Sequence, residues 1–155
     1  MEGIVRRAIV LLTLMMAGSA SASEQDARLS RLAWSAFECH ELARISGDDG
    51  EKDRLFKVGL DASMTFVEKF RAGEISEDDR FMHVPGGISR AMEGPSVEFV
   101  VGRIYQVVAG NTYEDVTQRD SGGKRLPPEK YVVDPVEVTG IARTKYREAN
   151  CELIK

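Results

Sequence analysis

The residues whose types could do chemistry are few, and their spacing argues against most of the reactions they suggest. His40-Glu41 opens like the helical zinc-protease pattern HExxH, in which two histidines one turn apart share a face and hold the metal. The fifth position is Arg44, so the second ligand is missing. Cys39-His40 suggests a thiolate activated by imidazole, yet neighbours on a helix point about 100° apart and do not face each other. His40 falls on an apolar stripe and is expected to be a core histidine with its hydrogen bonds satisfied. His83, the other histidine, stands beside Met82 and Pro85 without an obvious set of carboxylates. Asp48-Asp49-Gly50 and Glu77-Asp78-Asp79 lack the alternating ligands and the distant bidentate glutamate of a calcium loop; acids at helix starts, favourable to the dipole, explain them. Gly122-Gly123-Lys124 lacks the first glycine and the hydroxyl residue of a phosphate loop. No catalytic residue, cofactor or metal is therefore assigned.

Glu98 and Arg103 are the remaining polar candidates. Glu98 borders a valine-rich stripe, and the expectation is a partly buried acid paired with an arginine, either Arg103 or Arg44, in a structural or recognition role. Glu98 and Asp61 are also the carboxylates that an envelope-glycan hydrolase would use, were two acids to face each other about 5 to 9.5 Å apart.

The elements that must position these residues read as helices. Leu29, Leu32, Ala33, Ala36, Phe37 and Ala43 share a face over Glu24–Ile45, with Cys39 at its edge and Gly47 to stop it. Leu55, Val58, Gly59, Ala62, Phe66 and Phe70 form a second stripe over Glu51–Arg71, widened by Phe56, Leu60 and Val67, which suggests the central helix. Gly59 and Ser63 would let a neighbouring backbone approach it closely. Ser76-Glu77-Asp78-Asp79 has the order of a capping box before a short helix. Pro85-Gly86-Gly87 reads as a turn and Gly94-Pro95-Ser96 as a helix entry, with Pro95 in the first turn. Val97, Val100, Val101, Ile104, Val107 and Val108 share a face over Val97–Ala109, which Gly110-Asn111 should end, leaving Thr112 to cap a short segment. Residues 117–135 read as an exposed loop, with 131–133 and 136–138 as an alternative short hairpin. A last helix follows from Pro135, with Val138, Ala142, Tyr146 and Ala149 inward.

The first 22 residues read as a signal peptide: a positive Arg6-Arg7, an apolar run Ala8–Ala17, and Ala20-Ser21-Ala22 as a small-x-small site. Ten apolar residues span about 15 Å as a helix, half of the roughly 30 Å hydrocarbon core, so no stable membrane anchor is expected after cleavage. Cleavage after Ala22 would leave one domain, Ser23–Lys155, in the periplasm or medium. Losing Arg6, Arg7 and Glu2 takes the whole chain's 21 basic and 25 acidic residues to 19 and 24, a formal charge of −5. Such a mildly acidic surface argues against the basic footprint of a nucleic-acid binder. In that oxidising setting Cys39 and Cys151 most simply form one disulfide, joining the first helix to the C-terminus; two buried free thiols are the alternative.

Trp34-x-x-Phe37-x-Cys39, RLFKVG at Arg54–Gly59, GPSVEFVVGRIY at Gly94–Tyr105 and the closing NCELI resemble a group of small exported proteobacterial helical proteins that carries no known activity. In size, signal, helical content and a cysteine near each end, the chain is also similar in architecture to the periplasmic immunity proteins that neutralise type VI secretion amidases. Acid-stress periplasmic chaperones share the outline but are usually shorter. The expectation is an all-α bundle of about four to six helices, closed by one disulfide, that acts without catalysis by binding another periplasmic or envelope protein as an inhibitor, immunity or assembly factor. Its contact surface would include 117–135 or the turn at 81–95. The alternatives are a glycan-acting enzyme and an acid-stress chaperone.

Overall fold

A computed structural model describes the backbone of residues 2–155 and the side chains of residues 22–155. The expected signal segment and its cleavage after Ala22 fall almost wholly outside the side chains so described. The chain is all-α: α1 (Glu2–Ser46), α2 (Asp49–Arg71), α3 (Glu77–His83), α4 (Gly86–Ala91), α5 (Val97–Thr117) and α6 (Pro135–Glu148), with 3-10 turns at Pro128–Lys130 and Cys151–Leu153. Among the described residues no helix is long and apolar enough to cross a membrane.

The central helix is α1, not α2 as its wide stripe suggested. α2, α3, α5 and α6 all pack on α1. Its small side chains explain this: Ala27, Ser30, Ala33, Ala36 and Ala43 are all fully buried, and helices can close on such residues from several directions. From Cys39 to Ala43 every residue is buried, including His40 and Glu41. The core forms two clusters strung along α1. One gathers Phe37, Phe66, Ile88, Val100 and Ile104; the other gathers Leu42, Leu55, Val116 and Ala142 around the two cysteines. Gly59 does permit a close approach, though by a side chain and not a backbone: a Cβ there would lie 2.6 Å from Cδ1 of Phe37.

Local chemistry sets the helix ends. Gly47, at φ 80°, takes the left-handed turn that closes α1, and Asp48 caps α2 by accepting from the Glu51 amide at 3.1 Å. Ser76 caps α3 as expected, accepting from the Asp79 amide at 3.2 Å. The return bond of a capping box comes from another helix. Ser23 of α1 accepts from the Ser76 amide at 2.8 Å and donates to the Asp79 carboxylate at 2.6 Å, which fastens α3 to α1.

Three local expectations need correction. Residues 86–91 form the short helix α4 and not merely a turn. Pro95 precedes the cap residue Ser96, whose hydroxyl accepts from the Phe99 amide. Gly110-Asn111 does not end α5, which runs unbroken to Thr117. Val108, Thr112 and Val116 continue the buried face across the glycine, and Thr112 donates to the Val108 carbonyl at 2.9 Å within the helix. A glycine in a helix costs about 1 kcal/mol, less than burying that face returns.

Cys39 and Cys151 are bonded, with Cα atoms 5.5 Å apart although they stand 112 positions apart in sequence. The bridge fixes the C-terminal turn to α1 about two turns before that helix ends. Arg54 of α2 reinforces it by donating to the carbonyls of Ile154 and, at 3.4 Å, Cys151.

Candidate binding surface

The segment read as an exposed loop is folded by its own polar groups. Asp120 Oδ1 accepts from the amides of Gly122 and Lys124, each at 2.9 Å, which makes a tight turn. Arg119 and Arg125 pair across it as a single antiparallel bridge, and the Leu126 amide returns to the Gln118 carbonyl at 2.8 Å. The Val132 amide then donates to the Thr117 carbonyl at 2.9 Å, so the chain comes back to the end of α5. Asp134 caps α6, accepting from Val136 and Glu137. This excludes the alternative pairing of 131–133 with 136–138, because Val136 and Val138 lie within α6.

Between this folded loop and α6 runs a groove of about 620 Å³. Its apolar lining is Leu126, Val132 and Ile141. Gly140 and Thr144 contribute little bulk, and Arg119, Asp120, Glu137, Lys145 and Glu148 supply charge. Val133 and Val136, in the stretch that joins loop to helix, are 84% and 81% exposed. The inward face of α6 matches expectation at Ala142, with Val138 and Tyr146 partly buried; Ala149 is exposed.

Behind the groove α5 and α6 are joined by an ion pair. Lys145 Nζ lies 2.7 Å from Asp115 Oδ2, and Arg119 Nε lies 3.9 Å from Oδ1 of the same carboxylate. Glu38 of α1 faces this pair. Burial, and then the negative charge of Asp115, push its carboxyl above the usual range, with Lys145 acting in the opposite direction.

The other expected site residues occupy separate places. His40 is buried and doubly bonded: Nδ1 lies 2.9 Å from the Lys52 carbonyl, and Nε2 lies 3.2 Å from the Tyr105 hydroxyl. A carbonyl only accepts, so Nδ1 carries a proton. The imidazole thus joins α1 to α2 and α5, within an aromatic cluster where Phe37 and Tyr105 have ring centres 5.3 Å apart and Phe56 and Tyr105 5.6 Å apart. Arg44, which displaced the second histidine of the protease pattern, binds the buried Glu41 with two bonds of 2.8 and 2.5 Å. The Glu41 bond is the leading cause that raises the Arg44 guanidinium above its ordinary range. That pair went unread in the sequence, although an acid and an arginine three residues apart on a helix were its signal.

Glu98 is exposed in the first turn of α5 and is not a buried partner of either Arg103 or Arg44. Its own backbone amide and the Ser96 hydroxyl hold its carboxyl below the usual range. Arg103 instead donates to the carbonyls of Glu93 and, at 3.5 Å, Arg90. Arg71 donates to the carbonyls of Gly94 and Ser96 at 2.7 and 3.1 Å. The two arginines hold the connection between α4 and α5. Asp61 is exposed on α2, and neither it nor Glu98 lines the groove. Among the described residues no group of three His, Cys, Asp or Glu is placed to hold a metal ion. Around 81–95, Phe81 and Met82 are 87% and 62% exposed, next to a smaller cleft of about 300 Å³.

Compared with protein families, with curated proteins and with solved structures, the chain matches none.

Proposed function

We propose that this chain is a non-catalytic, periplasmic protein-binding module, an inhibitor, immunity or assembly factor, and that the loop at 118–134 with the outer face of α6 is its contact surface. The observation that carries this reading is the pairing of an ordered apolar-lined groove with two valines more than four-fifths exposed beside it. Isolated surface valines need no explanation, but Val133 and Val136 flank a concave surface lined by Leu126, Val132 and Ile141, and contiguous apolar patches mark contact sites. The surface is also preorganised. The Asp120 turn, the bond from Val132 to Thr117 and the Asp134 cap all fix it before a partner arrives, which limits the ordering cost of association.

The compartment follows from the signal-like first 22 residues, and the disulfide is compatible with an oxidising space. The resemblance to amidase-immunity proteins supports the inhibitor form of the reading, since both are small exported helical chains with a cysteine near each end.

The test compares exported protein with a Val133→Asp, Val136→Asp double variant as baits in envelope extract. Both positions are exposed, so the variant should fold with an unchanged dichroism spectrum. The reading expects a discrete captured protein that the variant loses; identical recovery by both baits removes this surface from the function.

A further inference from the structure

The charge around the groove specifies what kind of partner it fits. Two cations line it, Arg119 and Lys145, and both are engaged by the single carboxylate Asp115. Glu137 and Glu148 line it too, and neither has a salt-bridge partner among the described residues. Asp120 adds a third carboxylate that receives only backbone amides. Asp115 included, four carboxylates face two cations, and Glu38 lies behind them near Asp115. Glu137 and Glu148 are eleven positions apart on α6, about 16 Å along the helix axis. Gly140, Ile141, Thr144 and Lys145 lie between them; with the Lys145 ammonium held by Asp115, the acids mark the two ends of a stretch with little bulk and an aliphatic side chain at its centre. A volume of about 620 Å³ admits a few aliphatic side chains and not a folded body.

From this we propose that the groove binds a partner segment with an aliphatic centre and a cationic residue at each end, spaced to meet Glu137 and Glu148. The inference rests on the protein-binding reading and adds to it the chemistry of the partner. Opposite charge placed at the two ends would fix the register of the segment, and like charge there would exclude it.

The experiment uses two labelled synthetic helices with the same leucine centre, one with lysines about 16 Å apart and the other with glutamates there. Each is titrated against exported full-length mature protein by fluorescence anisotropy. The lysine peptide is expected to bind at least about 10-fold tighter than the glutamate peptide. E137K with E148K, both exposed, should reverse that order, and Gly140→Trp, where a side chain meets open space, should fill the groove and abolish binding of both. Equal affinity for the two peptides, no binding of either, or an order unchanged by E137K/E148K would overturn the charge assignment. That failure is distinguishable from failure of the protein-binding reading, which turns on whether the Val133→Asp, Val136→Asp bait loses its partner.

Discussion

The phenol of Tyr146 on α6 donates to the Glu51 carboxylate at the start of α2 at 2.5 Å, although the two residues are 95 positions apart. Arg54 binds the same carboxylate through two bonds, of 2.9 and 2.6 Å, and reaches on to the carbonyls of Ile154 and Cys151. One carboxylate thus ties α2 to α6 and, through Arg54, to the turn that carries the disulfide. The bond to Arg54 first, and then that to Tyr146, hold the Glu51 carboxyl down to about 2 from its ordinary 4.5. Burial and the Glu51 bond push the Tyr146 phenol well above its ordinary range.

Acid should therefore loosen the C-terminal end of the bundle. A carboxyl depressed in the folded state contributes fully above its unfolded value, and the contribution is lost as pH falls from about 4.5 to about 2. With the pair partly open to solvent, the loss is on the order of 1 kcal/mol. Glu51→Gln should flatten urea stability across that window. Glu38 acts with the opposite sign: its carboxyl is raised by burial and Asp115, so its charged form opposes folding at neutral pH and the penalty lifts on acidification. Glu38→Gln should stabilise at pH 7 by a few tenths to about 1 kcal/mol, with the difference from the parent shrinking towards pH 4.5 and below. Urea titrations from pH 2 to 7 read both effects.

Removing the bridge should cost more than any single polar contact. Closing 112 positions restricts the unfolded chain by about 4 to 5 kcal/mol in the chain-entropy treatment. A Cys39→Ala, Cys151→Ala variant should show a drop of that order in equilibrium unfolding. Non-reducing mass analysis of exported protein should find no free thiol; two free thiols would overturn the covalent closure.

Two glycine-to-alanine changes should have opposite signs. At Gly110, inside α5, an added Cβ meets nothing within 4 Å, so Gly110→Ala should raise stability by about 0.5 to 1 kcal/mol through helix propensity alone. At Gly59 the Cβ would lie 2.6 Å from the fully buried Phe37 ring, and Gly59→Ala should cost about 1 to 3 kcal/mol. Thermal or urea unfolding of the two variants measures both.

Much of the architecture was legible because periodicity is local. The stripes of α1 and α2, the Ser76 cap, the Pro135 start and the approach permitted by Gly59 all lie within a few residues of the pattern that signals them. The centrality of α1 was hidden because alanine and serine carry a weak hydrophobic signal, while their small size is what lets several helices close on α1. The continuation of α5 was hidden because Gly110-Asn111 is a local stop signal that the buried face of Val108, Thr112 and Val116 overrides. For the polar residues, His40 was legible as a bonded core histidine, since its position on the stripe implied burial. Glu98 was misread because a place at the edge of the valine stripe was taken to mean burial, whereas it stands exposed in the first turn of α5 and Arg103 bonds the backbone between α4 and α5. The groove itself depends on how the 118–134 loop folds against α6, which no local pattern states.

The most direct test of the account is site-specific photocrosslinking in intact cells with a photoreactive residue at Val133, exposed beside the groove, and a control at Glu68, exposed on α2. A discrete envelope-protein adduct is expected from position 133, absent from position 68 and lost in the E137K/E148K background. No adduct from 133, or the same adducts from both positions, would contradict it.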